Sequence, residues 1–86
     1  MEVDAAELDA VVRRLKRAQG QIGGIVRMIE EGRQCEEVVM QIAAVSKAID
    51  RAGFTVIATN LQHCLRDPEN SELDPAQLQK LFLSLA

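Results

Sequence analysis

The feature that most limits what this chain can become is one uninterrupted stretch, from about Gln34 to Leu65, that contains no proline and carries a cysteine near each end. Val38, Ile42, Val45, Ile49, Ala52, Val56 and Asn60 recur in it at intervals of three and four, the period of a helix with one side against a neighbour. Only the last member is polar. As one helix, the 29 steps from Cys35 to Cys64 cover roughly 44 Å at 1.5 Å per residue. A disulfide requires Cα atoms within about 7 Å, and a shared metal has similar reach. Joint chemistry of the two thiols therefore needs a second protomer or a broken helix. Antiparallel pairing of two such helices about a twofold axis near Ile49 and Asp50 would set Cys35 beside the partner's Cys64, and would do so twice.

Two further helices are expected around this one. From about Asp4 to Glu31, Leu8, Val11, Val12, Leu15, Ile22, Ile25, Val26 and Ile29 keep the helical period, and Asp4 with Glu7 has the pattern of a capping box. Gly20, Gly23 and Gly24 each weaken that helix by roughly 1 kcal/mol relative to Ala, which points to close approach of a neighbouring backbone or to a kink. Gly32 supplies the left-handed position that ends a helix. Arg66-Asp67-Pro68 with Asn70-Ser71 marks the exit of the second helix. A third starts with Asp74 as N-cap and Pro75 in its first turn, then runs through Leu78, Leu81, Phe82 and Leu85. The reading is all-α, three helices and no strands, in one domain spanning 1–86. With Phe54 and Phe82 as the only aromatic residues, a chain of 86 residues builds a thin core, so self-association is expected.

The formal net charge of −3 would ordinarily argue against nucleic acid, but its distribution does not. Between Ala10 and Ile29 stand Arg13, Arg14, Lys16, Arg17 and Arg27 with no acidic residue, while Glu2, Asp4, Glu7 and Asp9 precede them. That stretch is a basic patch suited to phosphate, with Gln21 as an added polar contact.

No run of about 18 uncharged apolar residues occurs, and Met1-Glu2-Val3-Asp4 has no basic region ahead of an apolar one, so a soluble, unexported, cytoplasmic protein is expected. Two cysteines in a reducing compartment read as ligands, redox thiols or buried packing residues. Cys35 lies in or beside the first turn of the central helix, where the positive end of the dipole favours thiolate, and Arg33 and Arg66 flank the two thiols. His63 adjoins Cys64 but points about 100° away around the helix, so a surface or interface role suits it better than ligation. Asn60, four residues before Cys64, shares its face.

The run Arg14-Leu15-Lys16-Arg17-Ala18-Gln19-Gly20-Gln21, then Gly24-Ile25-Val26-Arg27-Met28-Ile29-Glu30, then Cys35 and Gln41-Ile42 through Cys64, resembles the CsoR/RcnR family of bacterial repressors. The resemblance implies a three-helix protomer, an antiparallel helical dimer assembled into a disc-shaped homotetramer, and operator DNA bound without a helix-turn-helix. It places Arg14 and Arg51 at DNA-binding positions, with Arg13, Lys16, Arg17 and Gln21 beside them. It also implies release of DNA when an inducer binds across the dimer interface. Copper-sensing members carry Cys, His and Cys at what are here positions 35, 60 and 64. This chain has Asn60 there, a hard and weak donor for Cu(I), and so looks like the persulfide-sensing CstR branch. Formaldehyde and nickel sensors lack the cysteine at the last position. The expected inducer is a persulfide or polysulfide that bridges Cys35 to the partner's Cys64, with no cofactor. The alternative is a Cu(I) sensor using Cys35 and Cys64, to which His63 adds little.

A sulfur carrier or sulfur-transfer enzyme would also use two thiols, but the sequence has no phosphate loop, acid–base pair or nucleophile triad, and an enzyme is not expected. A purely structural helical oligomer is the remaining reading, and it would not bind DNA.

Overall fold

A computed structural model describes residues 3–70 and 74–86; Ser71, part of the expected exit signal, lies outside them. Three α-helices follow one another, α1 (Asp9–Glu30), α2 (Cys35–Arg66) and α3 (Pro75–Leu85), with a single 3-10 turn at Pro68–Asn70. Among the described residues there is no strand. The all-α, three-helix expectation is met, and α2 is one unbroken helix with the two cysteines at its two ends.

The local signals act largely as their chemistry requires. Gly32 takes φ 72°, and the amides of Gly32 and Arg33 donate to the carbonyls of Ile29 and Met28. This pair of bonds is the Schellman arrangement that satisfies the last carbonyls of a helix and reverses the chain. Asp74 accepts from the Gln77 amide at 2.8 Å while the Gln77 side chain accepts from the Asp74 amide at 2.9 Å, a complete capping box ahead of α3. The N-terminal signal is only half used. Asp4 Oδ1 accepts from the amides of Ala6 and Glu7 and holds a turn there, but α1 proper begins at Asp9, five residues later than expected. Glu7 does not reach back to close the box, because its carboxylate is taken by His63 of α2.

Helix α1 shows how one chain makes a two-sided plate. Leu8, Leu15, Ile22 and Ile29 alternate with Val11, Ala18 and Ile25 at spacings of three and four. The second set is buried, and it packs antiparallel along α2: Leu8 and Val11 with Ala52 and Val56, Ala18 and Ile25 with Val45 and Val38. Of the first set only Leu8 is buried; Leu15, Ile22 and Ile29 are exposed. The apolar stripe of α2 divides the same way, with Val45 and Ala52 turned to α1 and Ile42 and Ile49 left open.

Helix α2 is the middle layer. It meets α1 on one side and α3 on another, and α1 and α3 do not touch among the described residues. Phe54 and Phe82 lock α3 on with ring centroids 4.9 Å apart and a 39° tilt. Gly53 brings the last turn of α3 in close, because a Cβ at that position would lie 2.6 Å from Leu85 Cδ1. At the glycines of α1 the protomer itself brings no backbone close and makes no kink. Nothing lies within 4 Å of a Cβ built on Gly20 or Gly23, Gly24 meets only the end of the Arg27 side chain, and α1 runs through all three as one helix.

The product is thin: 54 × 25 × 13 Å, with a radius of gyration of 16.4 Å where a compact chain of this length would have about 12 Å. No described side chain is completely buried, and Ile22, Val26, Ile29, Ile42 and Ile49 all stay more than 40 % exposed.

Candidate sensor thiols and nucleic-acid interface

Twenty-nine steps along a helix of 3.6 residues per turn make eight turns and about 20°, so Cys35 and Cys64 look out from nearly the same side of α2 although they sit at opposite ends of it. By the same arithmetic Asn60 falls within about 20° of Cys35 and about 40° of Cys64, while His63 is turned about 100° from Cys64. The thiols are free and unlike. Cys35, first residue of α2 after the Gln34 cap, is exposed; Cys64 is buried, with 6 % of its surface accessible. Gly53 precedes Cys64 by eleven residues and so lies within about 20° of it around the helix. Since Gly53 meets Leu85, α3 runs along the side of α2 that carries Cys64.

His63 points the other way, toward α1. Its Nε2 is 2.7 Å from Glu7 Oε2, both groups being partly exposed, and because a carboxylate only accepts, Nε2 carries the proton of this bond. Sequence reasoning gave His63 a surface or interface role without finding this partner, which lies 56 positions away. Arg33, two residues before Cys35, is held by Glu37 at 2.6 Å and by Glu31 at 4.0 Å. Its charge is thereby shared with two carboxylates before any thiolate. Among the described residues no three His, Cys, Asp or Glu side chains gather as a metal site, so the thiols reach no third ligand of that kind within one protomer.

The basic residues separate into two groups. Arg14, Arg17 and Gln21 of α1 converge with Arg51 of α2 on a groove of about 230 Å³ floored by Ala44 and Ala48. The small floor lets three guanidinium groups stand at the rim, and no carboxylate pairs with any of them among the described residues. Arg13 and Lys16 do not line it, and Arg13 pairs with Asp9 at 3.1 Å. The opposite side of the α1–α2 seam is apolar, where Ile22, Ile25, Ile42, Val45 and Ile49 border a shallow depression that also contains Ser46 and Asp50. One seam thus has a cationic face and an apolar face. No helix among the described residues is long and apolar enough to cross a membrane.

The family model of metal-sensitive transcriptional repressors matches residues 7–84 of the chain. The copper-sensing transcriptional repressor RicR of Mycobacterium tuberculosis is 40 % identical over 57 residues, which cover 66 % of this chain and 59 % of RicR. The copper-sensing transcriptional repressor CsoR of Bacillus subtilis is 36 % identical over 61 residues, 71 % of this chain and 60 % of CsoR. YrkD of Bacillus subtilis, an uncharacterized protein, is 45 % identical over 58 residues, 67 % of this chain and 92 % of YrkD. The matched part of the chain thus spans about three fifths of the length of these two copper-sensing relatives. No solved structure matches it.

Proposed function

The chain belongs to the metal-sensitive transcriptional repressors, the CsoR/RcnR family, and from that premise we propose that it is an operator-binding repressor switched by Cys35 and the partner's Cys64 across a dimer interface. The observation that carries the reading is the pair of thiols on one side of α2 and at opposite ends of it. They can meet only between protomers, and the apolar face with Ile22, Ile42 and Ile49 is the surface a second copy would cover. The antiparallel pairing and the homotetramer belong to the proposal.

Operator phosphates are assigned to the groove of Arg14, Arg17, Gln21 and Arg51, where guanidinium groups with no carboxylate partner among the described residues replace the counterions of DNA at fixed spacing. Arg13 and Lys16, off the groove, add long-range attraction and little positioning. The family is one of repressors, and the two thiols are all that the site offers the sulfur-carrier reading.

The similar proteins named as copper-sensing favour Cu(I) as the inducer. Two thiolates suffice to hold Cu(I) in linear coordination, and Cys35 with the partner's Cys64 supplies them. His63 is committed to Glu7 and turned away from Cys64, which leaves it out of that site.

Asn60 favours a second reading, in which the inducer is reactive sulfur, because an amide adds nothing to a copper site and can hydrogen-bond a sulfur species. The Cys35 thiolate, the exposed one, attacks a sulfane sulfur of a polysulfide, and a polysulfide shorter by one sulfur leaves. The partner's Cys64 then attacks the inner sulfur of the Cys35 persulfide and expels hydrosulfide. Two thiols lose two protons and two electrons, and one sulfane sulfur is reduced to hydrosulfide.

Binding of upstream DNA by the reduced protein, followed by anisotropy without oxygen, tests both readings. Release by one Cu(I) per thiol pair with free thiols on recovery establishes the copper reading. Release by polysulfide with a Cys35–Cys64 crosslink between chains establishes the other. DNA binding that ignores both agents would remove the thiols from the switch.

A further inference from the structure

Gln21 borders two grooves, not one. On the far side of it from Arg14 and Arg17, a second depression of about 290 Å³ continues along the same seam, bordered by Gly24, Ile25, Arg27, Met28 and Arg33, with Gln41 from α2; its one carboxylate, Glu31, lies within reach of Arg33 at 4.0 Å. The helical spacing makes the continuity explicit: Arg14, Arg17, Gln21, Gly24 and Met28 succeed one another at three and four residues, as Gln41, Ala44, Ala48 and Arg51 do on α2. The floor of small residues therefore runs from one groove into the other, with Gly24 taking up in α1 the role of Ala44 and Ala48. Arg27 is exposed and, unlike Arg33, has no carboxylate partner among the described residues.

We propose that the operator-contacting surface does not end at Gln21 but follows the seam to Arg27, whose guanidinium binds a DNA phosphate at the end of α1 nearest Cys35. The proposal rests on the repressor reading above. Arg14 and Arg27 are 13 residues apart, roughly 20 Å along the helix, an axial rise over which one strand of B-DNA presents about six phosphates; they are also about 140° apart around it, and Arg27 reaches the seam by folding over Gly24, its Nη2 3.9 Å from where a Cβ on that residue would stand. A rigid track of that length fixes a duplex at both ends, where the first groove alone fixes one. It also sets a phosphate contact close to the Gly32 turn that leads into Cys35, so bridging at the thiol can disturb the track at its near end.

The test is the salt dependence of operator binding by the full chain, with Arg27→Ala, Arg27→Lys and, as a control, Lys80→Ala. Lys80 is an exposed cation on α3, remote from the seam, and its loss changes net charge by the same amount. Removing one phosphate contact lowers the log–log salt slope by about 0.9 and the affinity about fivefold near 0.15 M salt for each protomer that makes it. Arg27→Ala is expected to show this loss, with Arg27→Lys keeping most of the slope and Lys80→Ala matching the unmodified protein. A curve for Arg27→Ala that superimposes on the unmodified one overturns the inference and leaves the repressor reading standing. So does an equal loss from Lys80→Ala, which would make the effect one of net charge alone. Absence of salt-dependent binding by the unmodified protein overturns the repressor reading itself.

Discussion

Glu7 Oε2 lies 2.7 Å from His63 Nε2 and fastens the turn ahead of α1 to the last turns of α2, one residue short of Cys64. This is the only ion pair or side-chain hydrogen bond between α2 and the N-terminal turn among the described residues, and it is what draws Glu7 away from its own helix cap. Both side chains keep more than a third of their surface in water, at 39 % for His63 and 34 % for Glu7, so its contribution is small, about 0.5 kcal/mol. Glu7→Gln should therefore lower unfolding stability by no more than about 1 kcal/mol. Amide exchange at Ala6 to Leu8 should quicken, because the turn loses its anchor. Unchanged exchange there would show that Asp4 alone holds the turn.

Gly53 and Leu85 set two opposing terms against each other. Alanine at position 53 gains about 1 kcal/mol of helix propensity, but its Cβ would stand 2.6 Å from Leu85 Cδ1. Leu85 is the end of a flexible side chain in the final turn of α3, so it can move. Gly53→Ala is expected to leave the unfolding free energy within about 1 kcal/mol of the parent while the last turn of α3 exchanges its amides faster. A loss of more than about 2 kcal/mol would mean that the Leu85 contact is rigid.

How much of this was legible in the sequence depended on the range of the interaction. The Gly32 stop and the Asp74-Pro75 start are satisfied within five residues, and both were readable because the partners are neighbours in sequence. Asp4 and Glu7 carried the same local pattern and were misread, since a residue 56 positions away competes for Glu7. Glycines are ambiguous in another way. A missing Cβ says that something comes close or that nothing needs to be there; at Gly53 it is the former, and at Gly20 and Gly23 the protomer places nothing. The basic run was visible, but only the packing of α1 on α2 sorts Arg14 and Arg17 into a groove with Arg51 and leaves Arg13 outside it. The unlike exposure of the two thiols was not legible either, for the helix period puts Cys35 and Cys64 on nearly the same side of α2 and does not say which of them is covered.

The unlike thiols predict an order of reaction. In the reduced protein Cys35 should be alkylated well before Cys64, because Cys64 is 6 % accessible and lies on the side of α2 along which α3 runs. Leu78, buried where α3 meets Ile57 and Leu61, is the lever for exposing it. Leu78→Ala removes a buried side chain, a loss of about 2–5 kcal/mol that falls mainly on α3 docking, and should bring the Cys64 rate toward that of Cys35. Peptide mapping by mass spectrometry at short reaction times reads both rates. Equal rates in the unmodified protein would rule out shielding of Cys64 by α3.

The sharpest prediction concerns Asn60, which α2 turns to within about 40° of Cys64 and about 20° of Cys35 and keeps only partly exposed. When two protomers pair antiparallel, a side chain at that position approaches the space between Cys64 and the partner's Cys35, so its chemistry decides whether a metal there gains a third ligand. The amide of Asn60 is a hard, weak donor for Cu(I), whereas an imidazole at the same position is a competent one. Asn60→His should tighten Cu(I) binding and make operator release respond to lower Cu(I), and it should leave crosslinking by polysulfide largely intact because both thiols remain. Thiolates alone bind Cu(I), so affinity by itself does not discriminate and release of DNA is the measurement that does. If unmodified protein releases its operator at one Cu(I) per thiol pair and Asn60→His adds nothing, position 60 takes no part in selecting the inducer. The sulfur reading then loses the residue on which it rests.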